Sequence, residues 1–218
     1  MLKNFPQNFP WYKKLGANIT YHCSKIVLFP RKNLLSRTDI QTARKIITQW
    51  DIILCWNYRE TSALFIPGLV THTIAYIWKG RCIHAWAHGV KYISLGKILR
   101  IYDSLVIIRP SFRDSNQKSS YLESIIAKLG APYDFYFGIG EREYFCSWLV
   151  NSSLLDAGYE TGLHTVRPMG NLFDEITDSV LRAHRALKPE DFLQGNFKTV
   201  FYSHNIKNIN GKFELIED

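Results

Sequence analysis

Acidic side chains are almost missing from the first fifty residues, where Asp39 stands alone against nine Lys or Arg. Residues 51–218 carry eighteen of each sign, so the net charge of +8 belongs to an N-terminal arm and the body is neutral. That neutrality argues against a nucleic-acid-binding body. Cysteine is scarce too. Cys23, Cys55, Cys82 and Cys146 show neither CxxC spacing nor a disulfide framework, and with the seven histidines they give no zinc-site pattern. No metal and no cofactor are therefore expected. No apolar run approaches the roughly 20 residues of a membrane helix. Residues 1–10 lack the continuous apolar stretch and small-residue cleavage site of an export signal, so the expected location is the cytoplasm. Repeats and low-complexity stretches are absent. Gly138-Ile139-Gly140 has neither the preceding strand nor the third glycine of a phosphate loop.

What is present is one globular core, with 46% apolar and 21% charged residues. Thr38-Asp39 ahead of Ile40, Ala43, Ile46 and Ile47 predicts a capped amphipathic helix ending near Gln49. Asp51 to Trp56, His72 to Trp78, Arg81 to His88, Asp103 to Arg109 and Lys198 to Tyr202 read as strands. Lys79-Gly80 makes a hairpin of the second and third, and Pro67-Gly68 is a turn before them. Residues 111–120 read as a polar loop. Leu122, Ile125, Ile126 and Leu129 then mark a one-faced helix. Two more helices are expected, from Cys146 to about Ala157 and over roughly Asn171 to Leu187. Strands grouped first, with helices around them, predict an α+β fold on an antiparallel sheet.

Cys146 opens its helix, where unpaired N–H groups and the dipole favour a thiolate. A histidine from elsewhere in the fold can exchange a proton with that sulfur. His72, at a strand end after the Pro-Gly turn, is the candidate. Alternation puts His84, Trp86 and His88 on one face of the next strand. A three-residue hairpin loop brings His72 onto that face, whereas a two-residue loop puts it opposite. Periodicity decides neither that nor the choice between His84 and His88 as the orienting group. Asp51 and Asp134 read as backbone caps rather than chemistry, and Cys23, Cys55 and Cys82 as inert packing. The aromatic stretch that includes Tyr133 and Tyr144, together with Trp86, either lines an acyl or peptide pocket or packs beneath the Cys146 helix.

Five pieces in order carry a resemblance: Asp51-Ile52-Ile53-Leu54; Pro67-Gly68 with Thr71-His72 and Tyr76-Ile77; Ile83-His84-Ala85 with Gly89-Val90; Pro132-Tyr133-Asp134-Phe135; and Phe145-Cys146-Ser147 with Leu149-Val150. Over roughly residues 50–203 the chain resembles the permuted papain-like amidases, the YiiX-like branch of the NlpC-related thiol hydrolases, akin to the lecithin retinol acyltransferase group. The resemblance implies a circularly permuted papain-like fold, its sheet packed against the nucleophile helix. It implies Cys146 as nucleophile, His72 as base and His84 as third polar residue, and on that ground His84 takes precedence over His88. Two positions depart from the pattern, Trp50 in place of a common Gly and Trp148 in place of a common Glu. The expected layout is a basic arm and leading helix over 1–49, a catalytic domain over 50–203 and a tail over 204–218. The expected activity is hydrolysis or transfer of an acyl group from an amide or ester, with a peptide or lipid substrate. Two competing classes are a non-catalytic binding module built on the same cleft and a nucleic-acid binder using the arm. The arm interleaves Lys3, Lys13, Lys14, Lys25, Arg31 and Lys32 with Phe5, Phe9, Trp11, Tyr12 and Tyr21. It either contacts a membrane surface or docks its aromatics on the body.

Overall fold

Apolar, β-branched runs form the centre of the sheet because both of its faces are covered by helices. The computed structural model describes residues 2, 5, 10–23, 34–57, 70–135, 137, 140–163, 186–209 and 212–216. The expected helix over Asn171 to Leu187 lies, save for its last two positions, outside them, as does the Pro67-Gly68 turn. In chain order the elements are α1 (Trp11–Cys23), α2 (Arg37–Ile46), β1 (Ile52–Trp56), β2 (His72–Trp78), β3 (Arg81–Trp86), β4 (Gly89–Ser94), α3 (Leu95–Ile101), β5 (Ser104–Pro110), α4 (Ser115–Ala127) and α5 (Cys146–Asp156). A 3₁₀ turn (Pro189–Leu193), β6 (Phe197–Tyr202), β7 (Ile206–Ile209) and β8 (Lys212–Leu215) follow. Strands β4-β3-β2-β1-β5-β6 make one sheet with every neighbour antiparallel, and β7-β8 form a separate hairpin.

Alternation along each strand splits the core in two. Ile52, Leu54, Ala75, Ile83, Ala85, Val106 and Ile108 face α4 and α5, where they meet Tyr121, Ile125, Leu149, Val150 and Leu154. Ile53, Cys55, Ile74, Tyr76, Cys82, Leu105 and Ile107 face α2 and α3, against Ala43, Leu95, Ile98 and Leu99. The fold is thus α+β with the Cys146 helix packed on an antiparallel sheet, and Cys55 and Cys82 are core residues.

Three expectations need correction. Residues 115–120 are helical, because Asp114 caps α4 by accepting the Gln117 N–H at 2.8 Å. The buried Gln117 is in turn satisfied by donating to the Gly158 carbonyl at 2.8 Å. A helix can begin with polar residues when its backbone ends and side chains find partners. Second, the strand containing His84 stops at Trp86, and Ala87-His88 forms the turn into β4. Third, the cap of α2 is Ser36, which exchanges bonds with Asp39 in a capping box. Asp51 serves structure as expected: it accepts from the Thr48 N–H at 2.8 Å and from Arg109 Nε and Nη2 at 2.7 and 2.9 Å.

Tyr121 is fully buried, and its hydroxyl has no hydrogen-bond partner among the described residues. A hydroxyl stripped of water without replacement costs about 1–3 kcal/mol. Tyr121→Phe is therefore expected to raise stability by roughly 1 kcal/mol, read as a shift of the urea midpoint. A loss of comparable size would mean that the hydroxyl is bonded after all.

Candidate active site

Lys79 and Gly80 close the β2–β3 hairpin with φ of 46° and 75°, the left-handed pair that two-residue hairpins favour. Trp78 pairs with Arg81 across this turn, but the register then shifts, so that Tyr76 faces Cys82 and Ala75 faces Ile83. Ile77 is the extra residue of a β-bulge. That single insertion decides the site. A regular two-residue hairpin sets His72 and His84 on opposite faces; the bulge puts them on the same one, as a three-residue loop would.

On that face Nε2 of His72 lies 2.9 Å from Nδ1 of His84, with the rings at 82°. Trp86 stands edge-on to His72 at 5.0 Å between ring centres, and Tyr102 stacks on it at 6.0 Å. Both imidazoles are buried. His88 is exposed in the turn after β3, so the packing separates two histidines that periodicity could not.

Cys146 is the first residue of α5, and its N-cap, Phe145, offers no side-chain acceptor to the helix start. The leading N–H groups are therefore left for another partner. The sulfur takes that place, with the N–H groups of Ser147 and of Cys146 itself turned to it. A third N–H comes from Thr73. The registered pairs of β2 and β3 run from Ala75 to Trp78, so Thr73 lies beyond them, where α5 packs against both strands. Ser147 Oγ lies 3.8 Å from the Cys146 sulfur and 3.4 Å from Thr73 Oγ1, a fully buried polar contact. Thr73 and Ser147 escaped the sequence reading, although each directly follows a candidate catalytic residue.

Charge is suppressed throughout. Burial raises the Cys146 thiol above its usual range, and the N–H of Thr73 and the hydroxyl and N–H of Ser147 only partly counter it. Burial, then the neighbouring His84, holds His72 well below the usual imidazole range. Burial, followed by Lys91 and Lys97, brings His84 down to about 3. The resting site thus holds a neutral thiol and neutral imidazoles, not the thiolate expected at a helix start. Among the described residues no hydrogen bond joins the thiol to a ring. Both rings stand on the sheet face of Ile74, Tyr76 and Cys82, where Tyr102 stacks on His72, whereas Thr73 turns its side chain to Ser147 on the α5 face, so the structure does not bring the His72 ring to the sulfur.

The remaining candidates divide. Tyr133 lies close enough to Cys146 for the sulfur's charge to raise its phenol, after burial, well above the usual range. Trp86 walls the histidine pair. Tyr144 pairs with Tyr133 through an isolated bridge, and its hydroxyl donates to the Glu141 carbonyl at 2.7 Å. Trp148 donates its indole N–H to the Gly140 carbonyl at 2.7 Å, pinning the preceding loop to α5. Among the described residues no group of three or more His, Cys, Asp or Glu is placed to hold a metal ion. Nor is any helix there long and apolar enough to cross a membrane.

Residues 47–193 match the family model described as "Permuted papain-like amidase enzyme, YaeF/YiiX, C92 family". Among solved structures, the chain is similar to the metalloprotein yiiX from Escherichia coli O157:H7. The TM-score is 0.57 at 18% identity, over 72% of this chain and 97% of that one, a likeness that shows the fold. No curated protein matches the chain.

Proposed function

This chain belongs to the permuted papain-like amidase family that its residues 47–193 match, and from that premise we propose that it cleaves or transfers an acyl group through a thioester on Cys146. The observation that carries the reading is the convergence of three N–H groups on one sulfur at the head of α5. Those donors are arranged to stabilise negative charge at the head of α5.

The 2.9 Å His72–His84 bond needs a single proton. If His72 donates it from Nε2, Nδ1 keeps the lone pair that takes the thiol proton. His84 then carries its own proton on Nε2, an atom that is buried and lacks a partner among the described residues. This reading requires the His72 ring, which rests on the sheet face opposite α5, to reach the thiol when substrate is bound. Cys146 attacks the carbonyl as its proton moves to His72, and the oxyanion is met by N–H groups at the start of α5. His72 returns the proton to the leaving amine or alcohol. Water or another acceptor, deprotonated by the same ring, releases the acyl group. His84 acts through His72 by fixing its tautomer.

Tyr133 and Trp86 shape the pocket in this reading, and the acyl donor is a peptide amide or a lipid ester or amide. The buried thiol with its raised pKa favours a second reading, a papain-like cleft that binds without turnover. An activated acyl ester separates the two. Incubation followed by acid quench and mass spectrometry is expected to show one acyl adduct on Cys146 that decays with turnover. An unmodified protein, or an adduct elsewhere, would support binding alone.

A further inference from the structure

Helix α1 turns four large apolar side chains to solvent: Trp11, Tyr12, Leu15 and Ile19 are 76%, 51%, 55% and 56% exposed. At about 100° per residue they share one arc of roughly 100°, so they form a single apolar stripe along the helix. The expectation that the arm docks its aromatics on the body fails at these positions. It holds elsewhere. Leu2 is buried and donates its N–H to Asn18 Oδ1 at 2.7 Å, and Phe5 packs on Phe135 with 5.6 Å between ring centres. Phe135 packs in turn on Tyr133 at 5.0 Å, the tyrosine beside Cys146. A short run of contacts therefore leads from the arm to the candidate active site.

Charge selects the occupant of the stripe. Residues 1–36 contain six Lys or Arg and no Asp or Glu, and Lys14 stands exposed on α1 itself. A second copy would bring a second basic arm to the first, which like-charge repulsion opposes. An anionic lipid surface complements both features at once, apolar depth for the stripe and negative headgroups for the lysines.

We propose that α1 is an interfacial helix that lies in the headgroup region of an anionic membrane. It holds the protein there with the Cys146 site close to the lipid. The second half of this statement rests on the acyl-transfer reading; the first half stands without it.

The test is co-sedimentation of the full chain with phosphatidylcholine vesicles, with and without phosphatidylserine. Binding is expected on the mixed vesicles and weaker by at least about tenfold on pure phosphatidylcholine or at high salt. The triple variant Trp11→Ser, Leu15→Ser, Ile19→Ser is expected to lose at least about tenfold on the mixed vesicles. Its urea midpoint and its turnover of a water-soluble ester are expected to stay unchanged. Cys146→Ser is expected to bind vesicles like the wild type, so failure of the acyl-transfer reading leaves this result intact. The proposal is overturned if the wild type stays in the supernatant or if the triple variant sediments equally well. It is also overturned if the stripe proves to be covered by a second copy, seen as a concentration-dependent dimer that the variant abolishes.

Discussion

Replacing His72 with alanine is expected to lower acyl-enzyme formation on Cys146 by roughly 10²–10⁴-fold at neutral pH, the usual contribution of a positioned base. The reason lies in the resting protonation. Because burial lifts the thiol pKa, few molecules hold a thiolate at neutrality, and attack depends on a proton acceptor arriving with the substrate. Only a neutral imidazole can be that acceptor. The depressed His72 pKa keeps the ring neutral below its ordinary value near 6.5, so the wild-type rate is expected to stay level as pH falls past that point. The variant has lost its acceptor and must wait for free thiolate, so its rate is expected to climb about tenfold per pH unit toward the alkaline range. The two curves then converge at high pH. Burst kinetics with an activated ester across the pH range give both curves. If the variant matches the wild type at neutrality within about twofold, His72 is not the base.

Acid is expected to unfold the protein early, through the same buried rings. A histidine whose folded pKa is depressed binds its proton more readily in the unfolded chain. Its contribution is therefore intact above the unfolded value near 6.5 and drains away as pH falls below it, with each such ring tending to about 1.36 kcal/mol per pH unit. His72 and His84 both behave so, His84 only regaining a proton near 3. Between about pH 7 and 5 His84 is expected to remove roughly 2 kcal/mol, and His72 adds to the loss in the same direction, a sizeable part of a typical 5–15 kcal/mol stability. Asp39 and Asp156, whose pKa values are lowered, lose their contributions only at more acidic pH. The partly buried Glu143 has a raised pKa, titrates in the opposite sense and offsets a small part. Urea unfolding at several pH values checks the slope, and His84→Gln is expected to halve it. A stability that is flat from pH 7 to 5 would mean that the rings take up protons in the folded state.

The elements that carry the candidate residues were more legible than the contacts between them. Cys146 at a helix start and His72 at a strand start could both be read from punctuation: a glycine, a proline and a change of periodicity. The partner of His72 could not, because a bulge at Ile77 leaves no mark in an alternating apolar strand. Gly89 to Ile101 went unassigned although Ser94 caps a helix bearing Leu95, Ile98 and Leu99, since a seven-residue helix offers barely one repeat of its pattern. The hairpin β7–β8 was hidden for a different reason. It carries several exposed positions and little of the apolar alternation by which strands are recognised. At Trp50 the resemblance pointed to an oddity that the structure explains. Its φ of 74° is the left-handed conformation that glycine adopts freely, and here a tryptophan occupies it with its ring beneath the Lys118 ammonium, 5.1 Å away.

The bulge at Ile77 has an arithmetic consequence for relatives of this protein. Whether two residues on neighbouring antiparallel strands see each other depends only on whether an even or an odd number of steps separates them once irregularities are counted. Loop length and kink are thus interchangeable, and either can be lost if the other is gained. A homologue can drop Ile77 provided that its turn grows by one, whereas one that changes just one of the two keeps the paired rings only by moving the second to an adjacent position.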